Sequence, residues 1–206
     1  MPEGLALIDY GAGNLRSVEN ALRAAGAGDV RVTADPDLVR KAERIVLPGV
    51  GAFAACMGAL SAIPGMVEAL DERVIAGGAP FLGVCVGMQL MADAGEEFGT
   101  HPGLGWIGGT VAKLEPRDPE ARVPHMGWND VVPVVPHPLI VPGEAYFLHS
   151  FAFQGADPAM LAATTDHGGT VTAAVARDNL VGVQFHPEKS QGYGLELLAR
   201  FLEWNP

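Results

Sequence analysis

A chain of 206 residues is long enough to bury a sizeable core without disulfide bonds. Its formal net charge of −11 argues against partners that require a basic surface, such as nucleic acid or an anionic membrane. The two cysteines, Cys56 and Cys85, are too few for a disulfide framework or a cysteine-rich zinc site. We therefore expect no nucleic-acid, membrane or metal partner.

The N-terminal stretch MPEGLALIDYG lacks the basic start and the long apolar run of a secretory signal. Apolar runs elsewhere are interrupted by Gly, Pro or charged residues before they reach the length of a membrane span. Together with the sparse cysteines, these features predict a cytoplasmic protein.

The first half alternates short apolar runs with helix-like stretches, which predicts parallel strands connected by helices. Asp35 and Pro36 mark one helix start, as N-cap and first helical residue. The predicted strands are 5–10, 29–33, a strand in 43–53 that enters a glycine loop, and 80–84; the predicted helices are 15–25, one from 36, one reaching about 75, and 86–94.

The second half contains strand-like segments separated by Pro, Gly and Asp turns, and it ends in a helix over about 193–203. No linker-like stretch separates the two halves. We expect one domain over residues 1–206, a three-layer α/β fold with a mostly parallel central sheet, helices on both faces and a β-rich second half. The strand-like segments are WIGGTVAKLE, WNDVVPVV, AYFLHSFAF, TVTAAVA and LVGVQF.

The segment GVCVG places Cys85 between small residues, where a strand is predicted to turn into a helix. This is the spacing of the nucleophile elbow G-x-S-x-G, with a thiol in place of the hydroxyl. A sharp turn there lifts the side chain above the sheet edge, and the N–H of Val86 can face an oxyanion. The pattern is short, and an inert buried cysteine is the alternative interpretation.

The segment FHPEK offers a base for that thiol. Pro187 restricts His186 to extended geometry, in which residues two apart point to the same side, so Glu188 can reach the imidazole. Each of Cys85 and His186 follows a predicted strand, and strand carboxyl ends converge on one crevice in α/β folds. We therefore expect them to lie together, although a strand-end histidine with a solvated Glu is the alternative.

The segment LPGVGAF also follows a predicted strand. Its residues Gly49, Val50 and Gly51 offer backbone N–H groups as a second oxyanion donor and a substrate cradle. A plain Pro-Gly turn is the alternative interpretation.

With these motifs assembled, the chain resembles class I glutamine amidotransferases, a flavodoxin-like family with a Cys-His-Glu triad. GVCVGMQ matches the nucleophile motif of the family, and FHPE matches its His-Glu motif. Within the family, the chain is similar to the subfamily of glutaminase subunits of imidazole glycerol phosphate synthases. That narrower resemblance rests on IDYGAGNLRSV, LPGVGAF, PHMGWN, YFLHSF and FHPEKSQ, which cover nearly the whole chain in the order of the family.

The resemblance implies that Cys85 is the nucleophile, His186 the base and Glu188 its orienting carboxylate. It further implies an oxyanion site at Val86 and at the Gly49–Gly51 segment, whose peptide flip is thought to switch the site on. The implied substrate contacts are Gln89, His149, Ser150 and Phe151, and the implied contacts with a partner subunit are Asn14, Met126, Trp128, Asn129 and Lys189.

The implied reaction is hydrolysis of L-glutamine to L-glutamate and ammonia through a thioester, without a cofactor. The implied partner is a (β/α)8-barrel cyclase in a heterodimer. That cyclase would use the ammonia to make imidazole glycerol phosphate and aminoimidazole carboxamide ribotide in histidine biosynthesis.

Three alternatives remain at this stage. A glutaminase of another synthase, such as that of pyridoxal phosphate, is disfavoured by PGVG and PHMGWN. A hydrolase or chaperone-like relative with a cysteine elbow would lack the His-Pro-Glu element. A dinucleotide-binding module is weakly suggested by GAGN, but Arg16 stands where the third glycine belongs.

Overall fold

The computed structural model describes residues 4–206. The strands are β1 (Leu5–Ile8), β2 (Val30–Thr33), β3 (Arg44–Gly49), β4 (Phe81–Cys85), β5 (Ala94–Gly95), β6 (His101–Pro102), β7 (Thr110–Lys113), β8 (His125–Pro133), β9 (Gly143–His149), β10 (Phe151–Gln154), β11 (Leu161–Asp166), β12 (Thr170–Arg177) and β13 (Leu180–Val183). The helices are α1 (Leu15–Ala24), α2 (Pro36–Lys41), α3 (Phe53–Ser61), α4 (Met66–Leu70), α5 (Val86–Gln89) and α6 (Gln191–Glu203), with a π-helical turn at Asp71–Ala76 and a 3-10 turn at Pro187–Lys189.

Nine strands form one mixed sheet in the order β2-β1-β3-β4-β13-β12-β11-β8-β9. Pairing is parallel from β2 across to β13. It is antiparallel from β13 across to β9. The predicted α/β class is confirmed, and five strands of the β-rich second half extend the same sheet: β13, β12, β11, β8 and β9. A second sheet has the order β10-β7-β5-β6.

The helices form two groups that flank the large sheet. Helix α1 packs against α6, and Val18 and Leu22 on its inner face are buried. Helix α2 packs against α4, which in turn contacts α3. At the start of α2, the Asp35 carboxylate accepts the N–H of Asp37 and Pro36 is the first helical residue, so the predicted cap is confirmed.

No single helix in residues 4–206 has the length and hydropathy needed to cross a membrane. Taken together, Phe53–Ser61 and Met66–Ala76 have the length and composition of a membrane-spanning helix, but the chain bends by 91° between them.

The helix predicted over 86–94 is wrong beyond Gln89. The carbonyls of Leu90, Met91 and Ala92, which a longer helix would use internally, instead accept N–H groups from the later segment 104–107. Strand β11 is absent from the sequence-based prediction, because its alanines and threonines form no strong apolar alternation.

Glycine allows α5 to lie directly on the strands of the large sheet. A Cβ at Gly87 would overlap the carbonyl oxygen of Leu47, and a Cβ at Gly83 would lie 2.7 Å from the carbonyl oxygen of Gly87. A Cβ at Gly182 would lie 2.6 Å from Cγ of Met88. This backbone-to-backbone packing places the junction between β4 and α5 at the carboxyl edge of the sheet.

The start of α6 offers a matched pair of glycines for testing close packing. A Cβ at Gly194 would overlap the carbonyl oxygen of Pro187, whereas a Cβ at Gly192 would meet nothing within 4 Å. We expect Gly194→Ala to lower the free energy of unfolding by about 2–3 kcal/mol, because α6 must move away from the turn before it. Urea unfolding measures this change.

The control variant Gly192→Ala lies in the same helix turn and is expected to change the free energy of unfolding by less than about 1 kcal/mol. Equal stability of the two alanine variants would contradict the close packing of α6 on the Pro187–Lys189 turn.

Candidate active site

Cys85 is the last residue of β4 and lies immediately before α5. Its backbone has φ 54° and ψ −111°, a region that side-chain-bearing residues rarely adopt. The residue is 4% exposed. The strained turn directs the thiol away from the strand at the carboxyl edge of the sheet, which is the elbow geometry that the GVCVG pattern predicts.

His186 and Glu188 form a buried pair after β13. Nδ1–H of His186 donates to Oε1 of Glu188 at 2.8 Å, and both side chains are almost fully buried. The backbone N–H of His186 donates to the carbonyl of Tyr146 at 2.9 Å, and the Ser190 hydroxyl donates to the carbonyl of His186 at 2.6 Å. Hydrogen bonds to the backbone and to the ring of His186 therefore fix the position of its imidazole.

The surroundings of His186 favour its protonated form. Burial lowers the pKa of this imidazole, but hydrogen bonds to Cys85 and Glu188 and the negative charge of both partners raise it to about 9. Since Nδ1 is bonded to Glu188, Nε2 is the ring nitrogen that remains for Cys85. An imidazolium in this position stabilises a thiolate.

A cavity of about 170 Å³ opens beside the thiol. Glu97 and Leu148 line it without having been predicted. Leu148 lies inside the YFLHSF motif, but Glu97 belongs to an acidic loop that carries no sequence signal. The predicted residues that line the cavity are Val50, Gly51, Cys85, Val86, Gln89, His149, Ser150, Phe151, His186 and Lys189.

The loop after β3 lies beside the elbow at Cys85. Gly49 pairs with Cys85 as the last rung of the β3–β4 ladder. Val50 and Gly51 line the cavity, whereas Gly49 itself does not.

Two side chains hold the carbonyls on either side of Gly49. The Tyr10 hydroxyl donates to the carbonyl of Pro48 at 2.7 Å, and the Cys56 thiol donates to the carbonyl of Val50 at 3.3 Å. Burial raises the pKa of both Tyr10 and Cys56, so each keeps the proton that its bond requires. Cys56 is buried in α3, as expected for a packed helix residue.

Gln89 uses both of its amide hydrogens within the chain. Nε2 of Gln89 donates to the carbonyl of Phe151 and to Oε1 of Gln184, each at 3.0 Å. This leaves Oε1 of Gln89 for a donor group in the cavity. Nδ1–H of His149 donates to the same carbonyl of Phe151 at 2.9 Å, which ties the 149–151 segment to α5.

Two of the residues predicted to contact a partner form an exposed apolar patch. Met126 is 65% exposed and Trp128 is 47% exposed, both on β8. The neighbouring strand β9 adds Leu148, which pairs with Met126 and also lines the cavity. The patch therefore adjoins the candidate site.

The other three residues predicted at the partner face have different surroundings. The side chain of Asn129 donates to the carbonyl of Asp166 at 2.7 Å and bonds to His125 at 3.0 Å, so it is engaged within the chain. Lys189 lines the cavity. Asn14 lies at the N-cap position of α1, and its side chain makes no capping bond there.

The cluster as a whole has the parts of an acyl-transfer site. A thiol, an imidazole with its orienting carboxylate, and backbone N–H groups surround one small cavity. Within the described part of the chain, no three His, Cys, Asp or Glu side chains are grouped so that they could share a metal ion.

The buried pair predicts a pH-dependent contribution to stability. The raised pKa of His186 means that its protonation stabilises the fold fully below about pH 6.5, and that this stability is lost as the pH rises to about 9. Glu188→Gln removes the charge that favours the imidazolium. We expect this variant to lose more free energy of unfolding near pH 6 than near pH 9.5, as measured by urea unfolding.

Glu196→Gln on α6 is the matched control, because its carboxylate is 72% exposed. This control should leave the difference between the two pH values unchanged. A Glu188→Gln variant that is equally destabilised at both pH values would contradict the stabilisation of imidazolium by Glu188.

Comparisons with known proteins show the family to which the chain belongs. The sequence model of the family described as "Glutamine amidotransferase class-I" matches residues 6–204. Proteins named imidazole glycerol phosphate synthase subunit HisH are 65% identical in Zymomonas mobilis, covering 98% of this chain and 96% of theirs, and 56% identical in Caulobacter vibrioides, covering 98% and 99%.

Solved structures share the fold at low sequence identity. A glutamine amidotransferase crystal structure superposes with a TM-score of 0.76 at 18% identity, covering 97% of this chain and 98% of that one. The structure of PurLQS from Thermotoga maritima gives a TM-score of 0.74 at 17% identity, covering 98% and 99%. By the match over residues 6–204 and these relatives, the chain belongs to the class I glutamine amidotransferase family.

Proposed function

We propose that this chain is the glutaminase subunit of an imidazole glycerol phosphate synthase of histidine biosynthesis. It hydrolyses L-glutamine to L-glutamate and ammonia and passes the ammonia to a (β/α)8-barrel cyclase. The observation that carries this proposal is the arrangement of Cys85, His186 and Glu188 beside one small cavity. The high identity to relatives of that name supports it over a glutaminase of pyridoxal phosphate synthase.

In the first half of the reaction, the thiolate of Cys85 attacks the carboxamide carbon of glutamine. The oxyanion that forms is held by the N–H of Val86 and by the N–H of Val50 or Gly51. The imidazolium of His186 gives its Nε2 proton to the leaving nitrogen. The C–N bond breaks, ammonia leaves, and a γ-glutamyl thioester remains on Cys85.

In the second half, His186 is neutral and takes a proton from a water molecule. The resulting hydroxide attacks the thioester carbon, the C–S bond breaks, and glutamate leaves as the thiolate of Cys85 is restored. Glu188 accepts Nδ1–H of His186 in both halves and thereby stabilises the imidazolium. These steps need no cofactor.

The cavity wall offers complementary groups for both ends of an α-amino acid. The α-ammonium has acceptors in Oε1 of Gln89 and in the carboxylate of Glu97, whose other role is to accept the N–H of Phe53 at 2.9 Å. The α-carboxylate has donors in the backbone N–H groups of Ser150 and Phe151, which also line the cavity. The side-chain carboxamide then reaches Cys85.

The partner surface that we propose is the Met126 and Trp128 patch on β8. An exposed Trp beside an exposed Met is typical of the residues that anchor protein interfaces. Because Leu148 belongs to both the patch and the cavity wall, a cyclase bound there would cover the site and receive ammonia directly.

The test of the activity is ammonia release from glutamine in the presence of the cyclase and its nucleotide ligand. Cys85→Ser should lower the rate at least about a thousandfold, because a serine hydroxyl is not ionised in this site. His101→Asn, at a histidine outside the cavity, should retain the wild-type rate. Undiminished ammonia release by Cys85→Ser would contradict the role of Cys85 as the nucleophile.

The test of the partner surface is the affinity for the cyclase. Trp128→Ala should weaken the complex about tenfold or more, as loss of an interface anchor does, in a titration calorimetry experiment. Ile75→Ala removes a similarly exposed apolar side chain in the π-helical turn Asp71–Ala76, outside strands β8 and β9, and should not change the affinity. Equal affinity of Trp128→Ala and wild type would remove Trp128 from the interface.

A further inference from the structure

Gln184 is a buried polar residue that the reaction described above does not use. It lies between β13 and His186, and none of its surface is exposed. Its Nε2 is 3.6 Å from Sγ of Cys85, within the distance of a hydrogen bond to sulfur, and its Oε1 accepts from Gln89 at 3.0 Å. Two glutamines thus connect the reacting sulfur to the cavity wall.

The carbonyl of Phe151 fixes which atom of each amide faces which partner. A carbonyl can only accept, so Gln89 must present Nε2 to it, and the other hydrogen of that group goes to Oε1 of Gln184. Nε2 of Gln184 is therefore the group that faces Cys85. A donor at this position favours the thiolate over the thiol.

The same carbonyl fixes the tautomers of two histidines on its other side. His149 must carry its proton on Nδ1 to donate to Phe151, so its Nε2 accepts from Nδ1–H of His125 at 3.0 Å. Nε2 of His125 then accepts from the amide of Asn129 at 3.0 Å. Every donor and acceptor in this series is assigned without conflict.

Both imidazoles are neutral, as this assignment requires. Burial and the neighbouring histidines lower the pKa of His125 to about 3. Burial is the main cause that lowers the pKa of His149 to about 4. The stacking of His125 on Phe147 and on His167, at 4.7 and 4.1 Å between ring centroids, holds its ring in place.

We propose that a continuous chain of hydrogen bonds, from Asn129 through His125, His149, the Phe151 carbonyl and Gln89, orients Gln184 to donate to the Cys85 thiolate. Asn129 follows Trp128 in β8, so the chain of hydrogen bonds runs from the strand that carries the proposed partner surface to the nucleophile. Gln184 is then a residue that contacts the reacting atom, and the others are positioning residues. This inference rests on the proposed function only for the role of Cys85 as nucleophile.

The test is the pH profile of Cys85 alkylation by iodoacetamide, with peptide mapping to separate Cys85 from Cys56. Gln184→Met removes the donor, and we expect the rate near pH 7 to fall by about three- to tenfold and the profile to move to higher pH. Gln184→Glu has the same shape but places an acceptor oxygen, instead of the donor Nε2, against the sulfur. It should therefore move the pH profile to higher pH than Gln184→Met does. The exposed Gln154→Glu is the matched control and should leave it in place.

The far end of the chain is tested with His125→Phe. Phenylalanine keeps the stack on Phe147 but cannot donate to His149, so the profile should move in the same direction by about twofold in rate near pH 7. A shift with Gln184→Met and none with His125→Phe would overturn the long chain.

Unchanged profiles in both variants of Gln184 would overturn the proposal entirely. If Gln184→Met does not fold, the isosteric Gln184→Glu decides the result. Alkylation needs neither glutamine nor a cyclase. The experiment therefore measures the reactivity of the Cys85 sulfur even if no glutaminase activity is found.

Discussion

The candidate site depends on the close approach of α5 to the central strands of the sheet. Gly83 and Gly87 allow that approach, because a Cβ at either position would collide with backbone. The chain must turn within one residue, and the resulting backbone strain is located at Cys85, which has φ 54°. With a gentler turn, the thiol would lie among the apolar side chains of the core.

The site joins the two differently paired halves of the sheet. The parallel half supplies Cys85 and the loop at Val50, whereas the antiparallel half supplies His149 at the end of β9. Strand β13 lies at the boundary between them and leads to His186. The mixed pairing therefore brings an oxyanion loop and a substrate wall to opposite sides of one thiol.

Sequence reasoning was most successful where a local pattern carried the information. The elbow at Cys85 and the pair His186 and Glu188 were found because turn geometry and a spacing of two residues are local properties. Glu97 was missed because its position in the cavity is set by the path of a loop after α5, which tertiary hydrogen bonds end early. Gln184 had a usable signal, since a lone polar residue in the run LVGVQF must find buried partners.

The pairing of β4 with β13 determines whether the catalytic residues lie on the same side of the sheet. Val84 pairs with Val183, and neither of these two parallel strands has a polar face to mark its alignment. A slip of one residue would reverse the side on which each later side chain emerges. Cys85 and His186 would then lie on opposite sides of the sheet, although both strands would still carry only apolar side chains and glycine. Catalytic competence is thus a more sensitive measure of correct strand alignment in this protein than its compactness.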